Sequence, residues 1–227
     1  MDLLIQIFLF VWFLHGSGND FIRSIYENPK DYKNFREYIK KCIYGYNIPI
    51  DAISSDNRYA INICSVGLDA LIAHNVDKFK KIPFLPGPVA YMLSIFYTIL
   101  FAKLNENYDI FIDEKKCTDK ALLVAIANGK YYGGGICPAP NATPNDGILD
   151  VCVAYTNPKN KIKILTNLLP KYKAGKHLDL NGVSYIRGNK VEVSSNVDMC
   201  TNFDGEIIWQ KKIEFEIIAN GLIYRKF

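Results

Sequence analysis

Four short segments of the chain combine residue types that suit chemistry on phosphate groups. The first spans residues 16–21 (GSGNDF) and is a turn of small residues that leads into a predicted helix. Glycines let the backbone approach a phosphate closely, and the N–H groups at a helix start favour an anion. Taken alone, the same residues are equally typical of an ordinary capped turn.

The second and third segments are loops that follow predicted strands. Residues 128–135 (NGKYYGGG) end in three consecutive glycines, which allow a close backbone contact or form a sharp loop between strands, and the loop is the interpretation we favour. Residues 138–150 are rich in proline and place Asp146 beside a glycine. One hard carboxylate with exposed carbonyl groups suits Mg²⁺, while Asn-Asp-Gly is also a common turn before a strand.

The fourth segment is Asp204-Gly205-Glu206, which lies between two strand-like stretches. A tight turn can project a carboxylate that acts as general base on a hydroxyl nucleophile. Asp-Gly is also a common hairpin turn, so this segment alone does not establish a catalytic site.

Composition and charge are compatible with a globular enzyme and argue against several other classes of protein. The chain has 227 residues, 49% of them hydrophobic, and a net charge of 27 − 23 = +4. This mild charge does not predict nucleic-acid binding, and it suits an anionic membrane or a nucleotide phosphate. The six cysteines form no CxxC pair, which argues against a zinc ribbon and indicates reduced thiols in a cytosolic protein.

The periodicity of apolar residues predicts an α+β chain. Asn19 or Asp20 is expected to cap a helix that starts near Phe21, and residues 31–43 have helical spacing. From Tyr59 onward the pattern is rich in strands, and only residues 88–104 and 161–169 have helical character. Short strands with few helices predict a β-sandwich over about residues 55–220.

Two apolar segments allow more than one interpretation. Residues 3–14 are too short for a comfortable membrane span and lack the flanks of a signal peptide, so they predict a buried strand or a non-native start. Residues 83–88 precede an apolar helix rich in Tyr and Phe. That helix could face lipid, but aromatic residues at helical spacing usually pack in a core, and this is the interpretation we favour.

In their order and spacing, the four segments and residues 62–70 (NICSVGLDA) closely resemble the diacylglycerol kinase catalytic family, which includes bacterial soluble lipid kinases and sphingosine and ceramide kinases. The resemblance covers about residues 16–227. It implies a β-sandwich lipid-kinase domain over residues 55–227, preceded by the remnant of an α/β ATP-binding domain over residues 1–54. It also implies an active site between the two domains.

The resemblance further implies phosphoryl transfer from ATP to the hydroxyl of diacylglycerol or a related lipid, with Mg²⁺ as cofactor. It implies peripheral membrane contact of a cytoplasmic protein with a role in phospholipid metabolism. Neither the lipid acceptor nor the oligomeric state, a homodimer included, can be inferred from the sequence. The implied site residues are Glu206 as general base, Asp20 in the catalytic network, Gly16, Ser17, Gly18 and Asn19 near the ATP phosphates, and Asp146 with the carbonyl groups of Thr143 and Ile148 as a Mg²⁺ site.

The chain also departs from the family pattern. The family's Gly-Gly-Asp-Gly-Thr phosphate-binding motif is absent from the 227 residues, and Phe13-Leu14-His15 replaces the proline that usually precedes the GSGND segment. We therefore expect a truncated or split kinase whose catalysis is absent or depends on a further piece. The alternative is a β-sandwich module that binds lipid or protein without chemistry. The related NAD kinases fit less well, because they lack the proline-rich segment.

Overall fold

A computed structural model of the chain describes residues 19–26, 36, 40, 43–104 and 107–226. The predicted strand or non-native start at residues 3–14 lies outside the described residues. So does most of the helix predicted over residues 31–43.

The described residues form ten strands. They are β1 (Tyr46–Ser55), β2 (Arg58–Ala60), β3 (Ile63–Gly67), β4 (Asn107–Ile112), β5 (Lys115–Lys120), β6 (Leu123–Ala127), β7 (Leu149–Ala154), β8 (Val183–Gly188), β9 (Lys190–Phe203) and β10 (Glu206–Lys226). Their order is β2-β1-β10-β9-β3-β6-β7-β8, and β4 pairs with both β5 and β9.

The long strand β9 divides this sheet into two layers. Its C-terminal part pairs antiparallel with β3, where Cys64 lies opposite Phe203. Its N-terminal part pairs with β4, where Ile112 lies opposite Val191. Because one strand takes part in both layers, the sheet folds over itself and encloses a core. The predicted α+β fold with a β-sandwich is confirmed.

Successive side chains along the strands point to opposite faces of the β3-β6-β7 layer, and a hydrophobic core lies on each face. In β6, Val124 and Ile126 point into the core between the layers. Leu123 and Ala125 point to the opposite face, against the helices. Full burial of a Val, Leu or Ile side chain contributes about 1.5–3 kcal/mol. A strand buried on both faces therefore anchors the whole domain.

Five helices are described over their whole length. They are α1 (Asp20–Ile25), α2 (Leu68–Lys80), α3 (Gly87–Phe101), α4 (Lys161–Lys163) and α5 (Leu169–Lys173), and a π-helical segment, Ile164–Leu168, joins the last two. Helix α3 and the α4–α5 region confirm the two helical stretches expected after Tyr59. None of the helices in the described ranges is long and apolar enough to cross a membrane.

Helix α2 corrects the prediction that only those two stretches are helical. Its buried residues Leu68, Ile72 and Val76 recur every four positions, which is helical spacing. Gly67 makes the abrupt change from β3 to α2 possible. Its φ is +91°, and a Cβ atom there would lie 2.6 Å from the carbonyl oxygen of Leu122.

Helix α1 begins at Asp20, close to the predicted start, but the side chain of Asn19, which occupies the N-cap position, makes no capping hydrogen bond. Its residues Phe21 and Ile22 pack with Ile50 and Tyr224 in a third, smaller core. Strand β1 pairs along its length with β10, so the predicted domain boundary between residues 54 and 55 falls at the end of a strand of the sheet. That boundary stays a prediction.

Candidate functional site

The glycine loop that follows β6 is held against helix α1. The N–H group of Gly134 donates to Oδ2 of Asp20 at 2.7 Å. One turn further along α1, Ser24 Oγ accepts from the N–H group of Lys130 at 2.8 Å. Two of the four predicted segments therefore meet, although more than 100 residues separate them in the chain.

The backbone of this loop requires glycine. Gly133, Gly134 and Gly135 all have positive φ values, 57°, 84° and 107°. A Cβ atom at Gly133 would lie 2.7 Å from the hydroxyl oxygen of Tyr91, and one at Gly135 would lie 2.4 Å from the guanidinium of Arg23. The loop is thus packed tightly against α1 on one side and α3 on the other.

Asp20 supplies the carboxylate at this contact between α1 and the glycine loop, and its side chain is only 11% exposed. Burial raises its pKa, while the N–H group of Gly134 and the charge of Arg23, 3.8 Å away, act in the opposite direction. Asn19 is half-buried, and its carbonyl group accepts from the N–H group of Arg23 at 3.3 Å. Gly16, Ser17 and Gly18 lie outside the described residues, so the phosphate role of residues 16–19 stays a prediction.

Asn62 connects the glycine loop to the sheet. Its carbonyl oxygen accepts from the N–H groups of Asn128 and Gly129 at 2.9 and 3.1 Å. Its side-chain amide donates to the carbonyl oxygen of Tyr131 at 2.9 Å. The start of the loop is therefore fixed to the residue that precedes β3.

Asp204 attaches the β9–β10 hairpin to the same place. Its carboxylate accepts from the N–H groups of Ile61, Asn62 and Ile63 at 2.7, 3.1 and 2.9 Å. Burial raises the pKa of this carboxyl, and the three N–H groups oppose that rise. The hairpin was predicted from Asp-Gly, but the anchoring role of Asp204 was not, because its partners lie more than 140 residues away.

Glu206 is the first residue of β10 and pairs with Phe203 across the hairpin. The turn is tight, with φ of 48° at Asp204 and 107° at Gly205. The Glu206 side chain is exposed, so an incoming hydroxyl group can reach it. Its proposed partner Asp20 is linked to this hairpin through the glycine loop, Asn62 and Asp204.

Asp51 joins the proline-rich loop to this network, and the sequence analysis did not identify it. The residue is 1% exposed. Its carboxylate accepts from the N–H groups of Gly147 and Asn220 at 2.7 and 2.8 Å. Its carbonyl oxygen accepts from the side-chain amide of Asn128 at 2.9 Å. The available signal was a charged residue in the middle of β1, between the apolar residues Ile50 and Ala52.

The predicted Mg²⁺ ligands lie in this proline-rich loop. The carbonyl oxygen of Thr143 accepts from Asn145 at 2.9 Å, and the N–H group of Ile148 lies 3.4 Å from Oδ1 of Asp146. The other carboxylate oxygen of Asp146 pairs with Arg187. Whether these residues bind a metal stays a prediction.

Asp150 makes the surroundings of Asp146 suitable for a hard cation. Its side chain is 1% exposed, and Nε of Arg187 lies 3.5 Å from its Oδ1. Burial raises its pKa, a hydrogen bond from Tyr185 and the charge of Arg187 act in the opposite direction, and the neighbouring Asp146 adds to the rise. Carboxylate and carbonyl oxygens are the ligands Mg²⁺ prefers, so this donor set fits the ion.

A buried acid, Asp69, lies beneath the glycine loop. The hydroxyl group of Tyr172 donates to its Oδ2 at 2.7 Å, and Tyr132 of the loop lies 3.5 Å from that hydroxyl, oxygen to oxygen. Burial raises the pKa of Asp69 to about 6, although hydrogen bonds from Tyr132 and Tyr172 lower it.

The raised pKa predicts how stability depends on pH. Between about pH 4 and pH 6 the folded chain keeps a proton on Asp69 that the unfolded chain loses, so the free energy of unfolding falls as pH rises through this window. Asp69→Asn removes this titration. We expect the variant to gain stability relative to the parent chain as pH rises from about 4 to about 7. Urea unfolding at a series of pH values measures the difference.

Asp77→Asn is the matched control, because Asp77 lies on the same helix with an exposed side chain. Its difference from the parent chain should stay nearly constant over the same pH range. If the difference in free energy of unfolding between Asp69→Asn and the parent were also constant, the raised pKa of Asp69 would be contradicted.

Comparison with known proteins finds one matching family model, several relatives and several similar folds. Residues 62–222 match the family model described as the YegS C-terminal NAD kinase beta sandwich-like domain. Two proteins of Staphylococcus aureus, from strains JH9 and Newman, are named as candidate lipid kinases. Each is 27% identical to this chain over 208 residues, which are 91% of this chain and 65% of the relative. The chain thus spans about two thirds of the length of these curated relatives.

Solved structures share the fold. A candidate diacylglycerol kinase from Bacillus anthracis str. Sterne superposes with a TM-score of 0.67 at 22% identity, over 93% of this chain and 66% of that one. A diacylglycerol kinase from the same strain gives a TM-score of 0.60 at 16% identity, over 93% of this chain and 64% of that one. At these identities the likeness concerns the fold alone.

Proposed function

This chain belongs to the family of the YegS C-terminal NAD kinase beta sandwich-like domain, and we propose that it takes part in phosphoryl transfer from ATP to a lipid hydroxyl group. The observation that carries the proposal is the hydrogen-bond chain from Asp20 through the glycine loop and Asn62 to Asp204. These hydrogen bonds hold the exposed Glu206 in the same region as the glycine loop. Positioning of this kind is the main demand of phosphoryl transfer.

In the proposed reaction Glu206 is the general base. Its carboxylate accepts the proton of the lipid hydroxyl group as that oxygen attacks the γ-phosphorus of ATP. The new bond joins the lipid oxygen to phosphorus, and the bond to the β,γ-bridging oxygen breaks, so ADP leaves. Diacylglycerol is the acceptor we propose, and phosphatidate is then the product.

The glycine loop and Asp20 have the complementary role in this proposal. Gly134 has no Cβ, and a Cβ atom there would meet no atom within 4 Å, so a phosphate can approach the backbone of the loop at this position. Asp20 positions this loop through the N–H group of Gly134. Residues 16–19, which precede it, are proposed to contact the ATP phosphates.

Mg²⁺ would be held by Asp146 and the carbonyl groups of Thr143 and Ile148, with Asp150 close by. When bound there, the ion would neutralise charge and stabilise the proline-rich loop. Asp51 also stabilises the proline-rich loop, because its carboxylate accepts a hydrogen bond from the N–H group of Gly147, next to Asp146. We also propose a cytoplasmic location with peripheral membrane contact, since the acceptor is a membrane lipid.

A second candidate function is a module that binds lipid or protein without chemistry. The observation in its favour is that residues 62–222, the part that the family model matches, form a β-sandwich-like domain. An assay with γ-labelled ATP, Mg²⁺ and dispersed diacylglycerol separates the two functions. It is run with this chain alone and with the chain mixed with the part of a Staphylococcus aureus relative that the match leaves out.

Label in phosphatidate in either arm, lost when a chelator removes Mg²⁺, is the expected result. A folded chain that binds diacylglycerol and transfers no label in either arm would favour the binding module and contradict the kinase proposal.

A further inference from the structure

Helix α3 is apolar on all sides but is covered on only one. Its inner residues Ala90, Ile95 and Ile99 are buried against the rest of the domain. The opposite side, called here the α3 outer face, exposes between 39% and 74% of each of its six residues, which are Val89, Met92, Leu93, Phe96, Leu100 and Phe101. Phe84, in the turn before the helix, is fully exposed.

Such a face requires an apolar partner. A helix that is hydrophobic all round is normally buried on every side, and large contiguous apolar patches on a monomer mark interaction sites. This finding also corrects our preference for a simple core helix at this position, because half of its circumference lies outside the core.

The charges around the face indicate the nature of the partner. Residues 77–104 contain four lysines (Lys78, Lys80, Lys81 and Lys103) and one acidic residue, Asp77, whose carboxylate lies 3.4 Å from Nζ of Lys80. Lys78 lies with Nζ 5.2 Å from the centre of the Tyr97 ring. Lys161 donates to the carbonyl oxygen of Leu100 at the C-terminal end of the helix. An apolar face with basic residues at its edge is complementary to an anionic bilayer, in which acyl chains lie beneath negative headgroups.

We propose that the α3 outer face docks on an anionic lipid bilayer, with the helix lying in the interface. A second copy of the chain fits less well. A symmetric contact places each patch opposite itself, so the same lysines would face one another.

The docking face is next to the candidate site, and in this respect the inference rests on the proposed function. Tyr91, on α3, lies so close to Gly133 that no side chain fits between them. Gly134, the next residue, holds Asp20. A bilayer in contact with the outer face would therefore present lipid headgroups beside the glycine loop.

The test measures co-sedimentation of the full chain with vesicles. One set contains phosphatidylglycerol and phosphatidylcholine in equal amounts, and the other contains phosphatidylcholine only. The parent chain should bind the anionic set. Phe96→Gln with Phe101→Gln should weaken binding at least about tenfold, because two aromatic side chains leave the acyl region. Lys81→Gln and Lys103→Gln should each weaken it about fivefold.

Matched controls are Val197→Gln on β9 and Lys211→Gln on β10, which remove an exposed apolar residue and an exposed lysine elsewhere. Both should bind as the parent does, and circular dichroism checks that every variant folds. The inference is overturned if the outer-face variant binds like the parent, or if neutral and anionic vesicles bind equally. It is also overturned if the parent binds neither set, and a dimer that the outer-face variant disrupts would then identify a second copy of the chain as the partner.

Vesicle binding requires no phosphoryl transfer, so the two proposals can fail separately. Binding without labelled phosphatidate would leave the docking face intact and remove the kinase function. Formation of labelled phosphatidate at a rate that does not depend on the α3 outer face would support the kinase function and contradict the docking proposal.

Discussion

Glu206→Gln is expected to lower the rate of phosphoryl transfer to diacylglycerol by about 10²–10⁴-fold, the range that a positioned general base contributes. Glutamine keeps the size of the side chain but cannot accept the proton of the attacking hydroxyl group. The residue is exposed at the start of β10, so the free energy of unfolding should change by less than about 0.5 kcal/mol. The measurement is the initial rate of label transfer under conditions in which the parent chain, or its mixture, is active.

Glu216→Gln is the matched control, since Glu216 is an exposed glutamate on the same strand, ten positions further along. It should leave the transfer rate within about twofold of the parent. Equal rates for Glu206→Gln and the parent would remove Glu206 from the chemistry. Equal losses in both variants would indicate a general effect of charge on β10.

Asp204→Ala has the largest expected effect on stability, about 3 kcal/mol. The carboxylate satisfies the N–H groups of three consecutive residues, Ile61, Asn62 and Ile63. Removing an acceptor costs about 1–3 kcal/mol for each buried donor left without a partner, and water can reach part of this exposed turn. Alanine also tolerates the φ of 48° poorly. Urea unfolding measures the loss.

Asp198→Ala on β9 tests whether any aspartate of this hairpin would behave alike. Asp198 is exposed, and its replacement should cost less than about 0.5 kcal/mol. If Asp204→Ala were as mild, the hairpin would be held by strand pairing alone, and Glu206 would have lost its positional anchor.

The local elements of this fold were predictable because their signals are local. Asn19 and Asp20 mark the start of α1, and Asp-Gly at 204–205 marks the β9–β10 hairpin. Helix α2 was missed because its first residues follow a β-rich pattern without interruption. The signal that separates them is Gly67, whose positive φ becomes evident only when the approach of Leu122 is known.

The connections within the candidate site were not predictable, because each joins distant parts of the chain. Asp20 and Gly134 are 114 positions apart, and Asn220 lies 169 positions from Asp51. The sheet order brings them together, and no local pattern specifies that order. The resemblance to lipid kinases placed Glu206 and Asp20 in one site but left out Asp51 and Asp204, which hold the loops around them.

The apolar pattern of α3 illustrates a different limit. A helix with apolar residues on every side predicts burial, and it does not indicate which molecule covers each side. Only the packing of α3 against α2 and the sheet separates the covered side from the open one.

The most direct test of the central claim is a crystal structure of this chain with a short-chain diacylglycerol. The account predicts that the free hydroxyl group lies within about 2.6–3.2 Å of a carboxylate oxygen of Glu206, with the acyl chains directed toward α3. A lipid bound elsewhere, with Glu206 pointing into open solvent, would contradict it.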